Sequence, residues 1–143
     1  MAERTRILGI DPGERRIGVA LSDPMGMIAS ALETIKWNGE DRTKAENRIV
    51  ELVEAHGVAE IVVGLPRRTD GRPGPSEERA RTFAESLSQR LGIPVVLRDE
   101  RYTSVIAGRV LRESGSRHDR KDGAVDRMAA AIILQDHLES RRK

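Results

Sequence analysis

Two periods of hydrophobicity alternate along the chain. Residues 5–10 (TRILGI) and 16–22 (RIGVALS) are short, apolar runs rich in branched side chains, and each predicts a buried strand. Between them Asp11-Pro12-Gly13 carries turn chemistry, with Asp opening, Pro fixing φ and Gly free to reverse, so the two runs predict a hairpin. Residues 28–35 (IASALETI), entered through a turn at Gly26, predict a third strand and complete an antiparallel meander.

Beyond Trp37 the spacing becomes helical. Ala45, Ile49, Leu52 and Val53 recur at helical intervals over 41–56, and Gly57 supplies a stop. Residues 60–65 (EIVVGL) predict a strand covered on both faces, followed by a polar, Gly- and Pro-rich loop over 66–75. Ser76 is the expected N-cap of a second helix, with Glu77 and Glu78 in its first turn. Its apolar side carries Ala80, Phe83, Ala84, Leu87 and Leu91, and Gly92 ends it. Residues 93–97 (IPVVL) predict another buried strand. Thr103 is the expected cap of a third helix bearing Val105, Ala107, Val110 and Leu111. Residues 114–123 lack apolar side chains and predict a mobile loop. Asp122 is the expected cap of a last helix carrying Val125, Met128, Ala129, Ile132, Ile133 and Leu138, with a tail that frays from 140.

The order β-β-β-α-β-α-β-α-α predicts an α/β fold, a mixed sheet with helices packed on it. The first strand is expected at its centre, antiparallel to the second and parallel to the fourth through a right-handed crossover. At 143 residues the chain is expected to form one domain over 1–143.

Composition narrows the chemistry. The chain has no cysteine, which excludes disulfides, thiolate zinc sites and cysteine nucleophiles. The lack of cysteine also fits a reducing cytosol, and with no apolar run approaching the length of a membrane span and no signal-like apolar region in the N-terminal residues, no membrane partner is expected. The net charge of +2 excludes a polycation held to nucleic acid by bulk attraction. Yet all but four of the 25 basic residues are Arg, the side chain best suited to bidentate phosphate contacts. Only three aromatics are present, Trp37, Phe83 and Tyr102, which argues against an extended stacking platform for single-stranded bases.

No Walker phosphate loop, HExxH or GxSxG motif is present, so carboxylates carry the available chemistry. Asp11 and Glu100 each stand at the carboxyl end of a predicted strand, where parallel sheets form their ligand crevice. Asp126 shares a helix side with Ala130 and Ile133, where an unpaired charge is costly. Each acid also has an ordinary use: opening a turn, solvating a surface, or favouring a helix N-terminus. Should the three converge, their repulsion is relieved most cheaply by a hard divalent cation, Mg²⁺ or Mn²⁺, on oxygen ligands. A pair of such ions suits phosphodiester hydrolysis. Arg15, Arg16, Arg67, Arg68, Arg72, Arg101, Arg117, Arg120 and Lys121 are candidates for the flanking phosphates, with Arg16, Arg67, Arg101, Arg120 and Lys121 foremost.

The blocks GIDPGERRIGVALSD, IVVGLP followed by DGRPGP, DERYTS, and VDRMAAAIILQDHL, in this order and spacing, resemble the YqgF family, also called RuvX, of pre-16S rRNA nucleases or Holliday junction resolvase-like proteins. The resemblance runs from about Leu8 to Leu138 and is specific in the four blocks taken together. It implies an RNase H-like fold with a five-stranded mixed sheet, and an acidic triad at Asp11, Glu100 and Asp126. It also implies Mg²⁺ or Mn²⁺ dependence, a cytoplasmic location and a role in maturing the 5′ end of small-subunit rRNA, with the ribosomal precursor particle as a further partner. Some members are linked instead to four-way DNA junctions, which a homodimer suits better than a monomer because two strands need two sites. The chain departs from the family pattern at Arg67-Arg68-Thr69, which bears on substrate preference. Two other readings stand beside the nuclease. One is a nucleotide-binding ATPase of the actin and sugar-kinase type, against which the length argues. The other is a nucleic-acid-binding module without catalysis.

Overall fold

The computed structural model describes residues 5–13, 15–37, 42–66, 74–99 and 123–141. Within them five strands form one mixed sheet: β1 (Arg6–Pro12), β2 (Arg16–Ser22), β3 (Ala29–Lys36), β4 (Val58–Leu65) and β5 (Val95–Asp99). The order across the sheet is β3-β2-β1-β4-β5. As the sequence predicts, β1 is central, antiparallel to β2 and parallel to β4; β2 pairs antiparallel with β3 and β4 parallel with β5. Three helices are described: α1 (Arg42–His56), α2 (Pro75–Leu91) and α3 (Ala124–Ser140). The helix expected after Thr103 and the loop expected over 114–122 lie outside the described residues.

Alternation along the strands sorts the core into two layers. Leu8, Ile10, Ile17, Val19, Ile61 and Val63 face α1 and α2, which bring Ile49, Leu52, Val53, Phe83 and Leu87 against them. Ile7, Ala20 and Val62 face α3 and meet Ala130, Ile133, Leu134 and Leu138. Apart from Phe83, the buried hydrophobic side chains of both layers are aliphatic.

Three local details differ from expectation. β1 runs through Asp11 and Pro12 instead of stopping at Ile10; Pro12 pairs with Ile17, and the reversal is closed by the Gly13 amide donating to the Arg16 carbonyl at 3.0 Å. Proline is tolerated there because it occupies the last rung of the ladder. The N-cap of α2 is Gly74, not Ser76, since Pro75 fits the first helical position and moves the start forward. α3 begins after Gly123, left-handed at φ 82°, with no side-chain cap; Asp122 lies outside the described residues. The expected glycine stops are present: Gly57 follows α1 at φ 64°, and Gly92 follows α2 at φ 67°.

Candidate active site

Because Asp11 lies in a strand and not in a turn, the pleat sets its direction. It faces α3, with Gly9 and Ile7, while Ile10 and Pro12 face the other way. Its cross-strand partner on β2 is Gly18, and Gly18 in turn pairs with Thr34 on β3. Asp11, Gly18 and Thr34 therefore form one row across three strands, near the end where β1 and β4 finish.

The first turn of α3 lies on that row. A Cβ built on Gly18 would fall 1.9 Å from the Asp126 carbonyl oxygen, so only glycine permits the approach. One strand over, a Cβ on Gly9 would meet Leu134 Cβ at 2.7 Å. Thr34 fixes the helix end: its Oγ1 donates to the Gly123 carbonyl at 2.8 Å and accepts from Arg127 Nη1 at 2.9 Å. These contacts tie the helix end to β3, and they set Asp126 over the residue opposite Asp11.

Burial dominates the electrostatics of both acids. Asp11 is 7 % exposed. Burial raises the pKa of Asp126 above the usual carboxylate value, against the pull of Arg16, of its own backbone amide and of Arg127. Arg16 opens β2 and shares the α3 side of the strand with Gly18, which places its guanidinium within reach of the Asp126 charge. Among the described residues no group of three or more His, Asp or Glu gathers. A buried acid beside a second acid whose ionisation is opposed by burial fits a hard divalent cation better than zinc, which favours imidazole and thiolate.

The structure thus brings together Asp11, Asp126 and Arg16 of the residues singled out from sequence. Glu100, Arg67, Arg101, Arg120 and Lys121 lie outside the described residues. Sequence reasoning passed over Gly18, Thr34 and Arg127. A glycine inside a strand is itself a signal of close backbone approach and could have marked the first. The other two act across 89 and 93 positions of chain, which no local pattern records.

Residues 5–140 match the family model described as RuvX, Holliday junction resolvase. A protein of Pelotomaculum thermopropionicum named "Putative pre-16S rRNA nuclease" is 48% identical over 135 residues, covering 94% of this chain and 87% of the relative. One of the same name from Acetivibrio thermocellus is 45% identical over 139 residues, covering 96% and 98%. Among solved structures, T. thermophilus RuvC in complex with Holliday junction substrate superposes with a TM-score of 0.59 at 17% identity, over 96% of both chains. That likeness is one of fold, and it places the five-stranded mixed sheet with its flanking helices among the RNase H-like folds.

Proposed function

The chain belongs to the RuvX family of Holliday junction resolvases, and from that premise we propose that it is a metal-dependent endonuclease cutting structured nucleic acid, with the 5′ end of pre-16S rRNA as its cytoplasmic substrate. The observation that carries this reading is the row Asp11–Gly18 with Asp126 seated on it, at the edge where parallel sheets bind ligands. We assign Asp11, Asp126 and Glu100, the residue that follows β5, to holding Mg²⁺ or Mn²⁺, as two ions within one nuclease domain over 1–143. Bound there, such ions supply Lewis acidity and a lowered pKa for water.

The chain's own contribution is orientation and charge. The main chain of Asp11 is held by the sheet and that of Asp126 by the α3–Thr34 clamp, which supports a site whose backbone needs little reordering. Arg16 beside Asp126 limits the mutual repulsion of the acids and offers a guanidinium to a phosphate of the bound strand. Arg67, Arg101, Arg120 and Lys121 are assigned to flanking phosphates, contacts that position a strand without reading its sequence.

Cleavage of branched DNA is the second reading, favoured by the family description and by the fold shared with a resolvase solved on its junction. One assay separates the two: a labelled pre-16S rRNA fragment and a four-way DNA junction, each with and without Mn²⁺. Asp11→Asn is expected to lower cleavage on the order of a thousandfold, with circular dichroism and Tm close to the natural chain. Unchanged cleavage in that variant removes the site assignment. Binding of either substrate without cleavage by the natural chain leaves a non-catalytic binding module instead.

A further inference from the structure

A cavity of ≈ 380 Å³ opens at the same end of the sheet as the carboxylates, on the opposite face. Its volume falls within the roughly 300–1,000 Å³ of small-molecule sites, whereas close-packed interiors leave few voids larger than a water. The floor is Ile17 and Phe83, both buried. Trp37 forms a wall, and Arg42 and Arg79, near the N-terminal ends of α1 and α2, stand at the rim. Pro12 and Gly13 close the side nearest Asp11, so the cavity begins at the residue after Asp11, on the other face of the same strand end.

Trp37 is fixed in place. Its indole Nε1 donates to the Gly13 carbonyl at 3.0 Å, and its amide donates to the Arg15 carbonyl at 3.0 Å. Two of the chain's three aromatics therefore converge on one cavity beside the candidate active site. An apolar floor, a flat ring held by its indole hydrogen bond, two guanidiniums and the Glu78 carboxylate match a heteroaromatic ring that carries phosphate, with Glu78 able to accept from a ring amino group. The scarcity of aromatics excludes an extended stacking platform and leaves a pocket for one base open.

We infer that this cavity receives an unpaired nucleobase of the substrate strand, a short step from the phosphate at Asp11 and Asp126, with Arg42 and Arg79 on that nucleotide's phosphate. The inference rests on the nuclease reading and adds a requirement to it: a looped-out or single-stranded nucleotide beside the cut.

Trp37 is the chain's one tryptophan, so its fluorescence reports on the cavity directly. The full chain, without added divalent cation, is titrated with a short single-stranded oligoribonucleotide and with the same strand carrying abasic units. The strand with bases quenches Trp37 and binds about tenfold more tightly, the scale of one stacked base. Thr82→Phe, which fills the cavity from an exposed position on α2, abolishes both the quench and the preference. Equal affinity for the two strands, or a preference that survives Thr82→Phe, overturns the inference; the two strands decide it on the natural chain even where the variant fails to fold. Cleavage is scored separately. A chain that prefers bases yet cuts neither RNA nor junction with Mn²⁺ keeps the pocket and loses the nuclease. A chain that cuts but binds both strands alike keeps the nuclease and loses the pocket.

Discussion

Asp126 is placed where ionisation works against folding. Burial raises its pKa above 3.8 in the folded chain, so the unfolded chain gives up the proton first. Stability from this group is therefore greatest below pH 3.8 and falls as pH rises through the window between the two values. Asparagine has the same shape and no proton to lose. At pH 7 in chelator, Asp126→Asn should melt at a higher temperature than the natural chain, and the gap should close below pH 3.8. Mg²⁺ should raise the Tm of the natural chain and that of the variant less, while cleavage by the variant falls on the order of a thousandfold. A variant that melts lower at pH 7 would mean that attraction to Arg16 outweighs burial, and the acid would then be a structural partner of that arginine.

At the scale of elements the site is made by a helix lying on a glycine. The added carbon of Gly18→Ala meets a main-chain oxygen, which no rotamer can relieve, so the first turn of α3 must move. Such overpacking costs about 1–3 kcal/mol, and it displaces Asp126 from the row that holds Asp11. Denaturant melts should register the loss, and cleavage should fall further than stability alone accounts for; an alanine variant with unchanged melting and cleavage would refute the close approach. This contact also marks how much the sequence discloses. The meander, the central β1 and the apolar side of α3 follow from spacing, and Asp126 was traceable through Ala130 and Ile133 on that side. The start of α3 was not. Its end is secured by Thr34 of β3, and the cap sought locally at Asp122 is a glycine at 123. Ser76 misled for a related reason: its hydroxyl suits a cap, but with Gly74 as cap and Pro75 as first helical residue the helix starts two residues earlier. The cavity at Trp37 was equally hidden, because its parts come from β1, β2, α1 and α2 and touch only once the sheet has formed.

Over the whole molecule α3 links two ends of the sheet with different chemistry. Asp126 stands at one end, and His137 and Arg141 stand at the other, beside Glu60 of β4. Arg141 is hydrogen-bonded to the Glu60 carboxylate, which answers that buried charge. His137 is left 3.6 Å from the same oxygen, and its two ring nitrogens are buried without a hydrogen-bond partner among the described residues. Burial pushes its pKa below 6.5, aided by Arg141 and Arg98 and opposed by Glu60. The unfolded chain therefore takes up the proton first as pH falls. Stability from a neutral His137 is whole above pH 6.5 and is lost below it, at up to about 1.4 kcal/mol for each pH unit until the folded value is reached. His137→Leu keeps an apolar filling and removes the proton, so the loss of stability between pH 7 and 5 should be smaller than in the natural chain, the remainder coming from carboxylates and the other two histidines. Because the cluster sits at the far end of α3 from Asp126, cleavage per folded molecule should keep the same pH dependence in both chains. A pH profile of stability identical in the two would show that Glu60 fully compensates the burial of the ring, and a changed cleavage profile would show that the two ends of α3 are coupled.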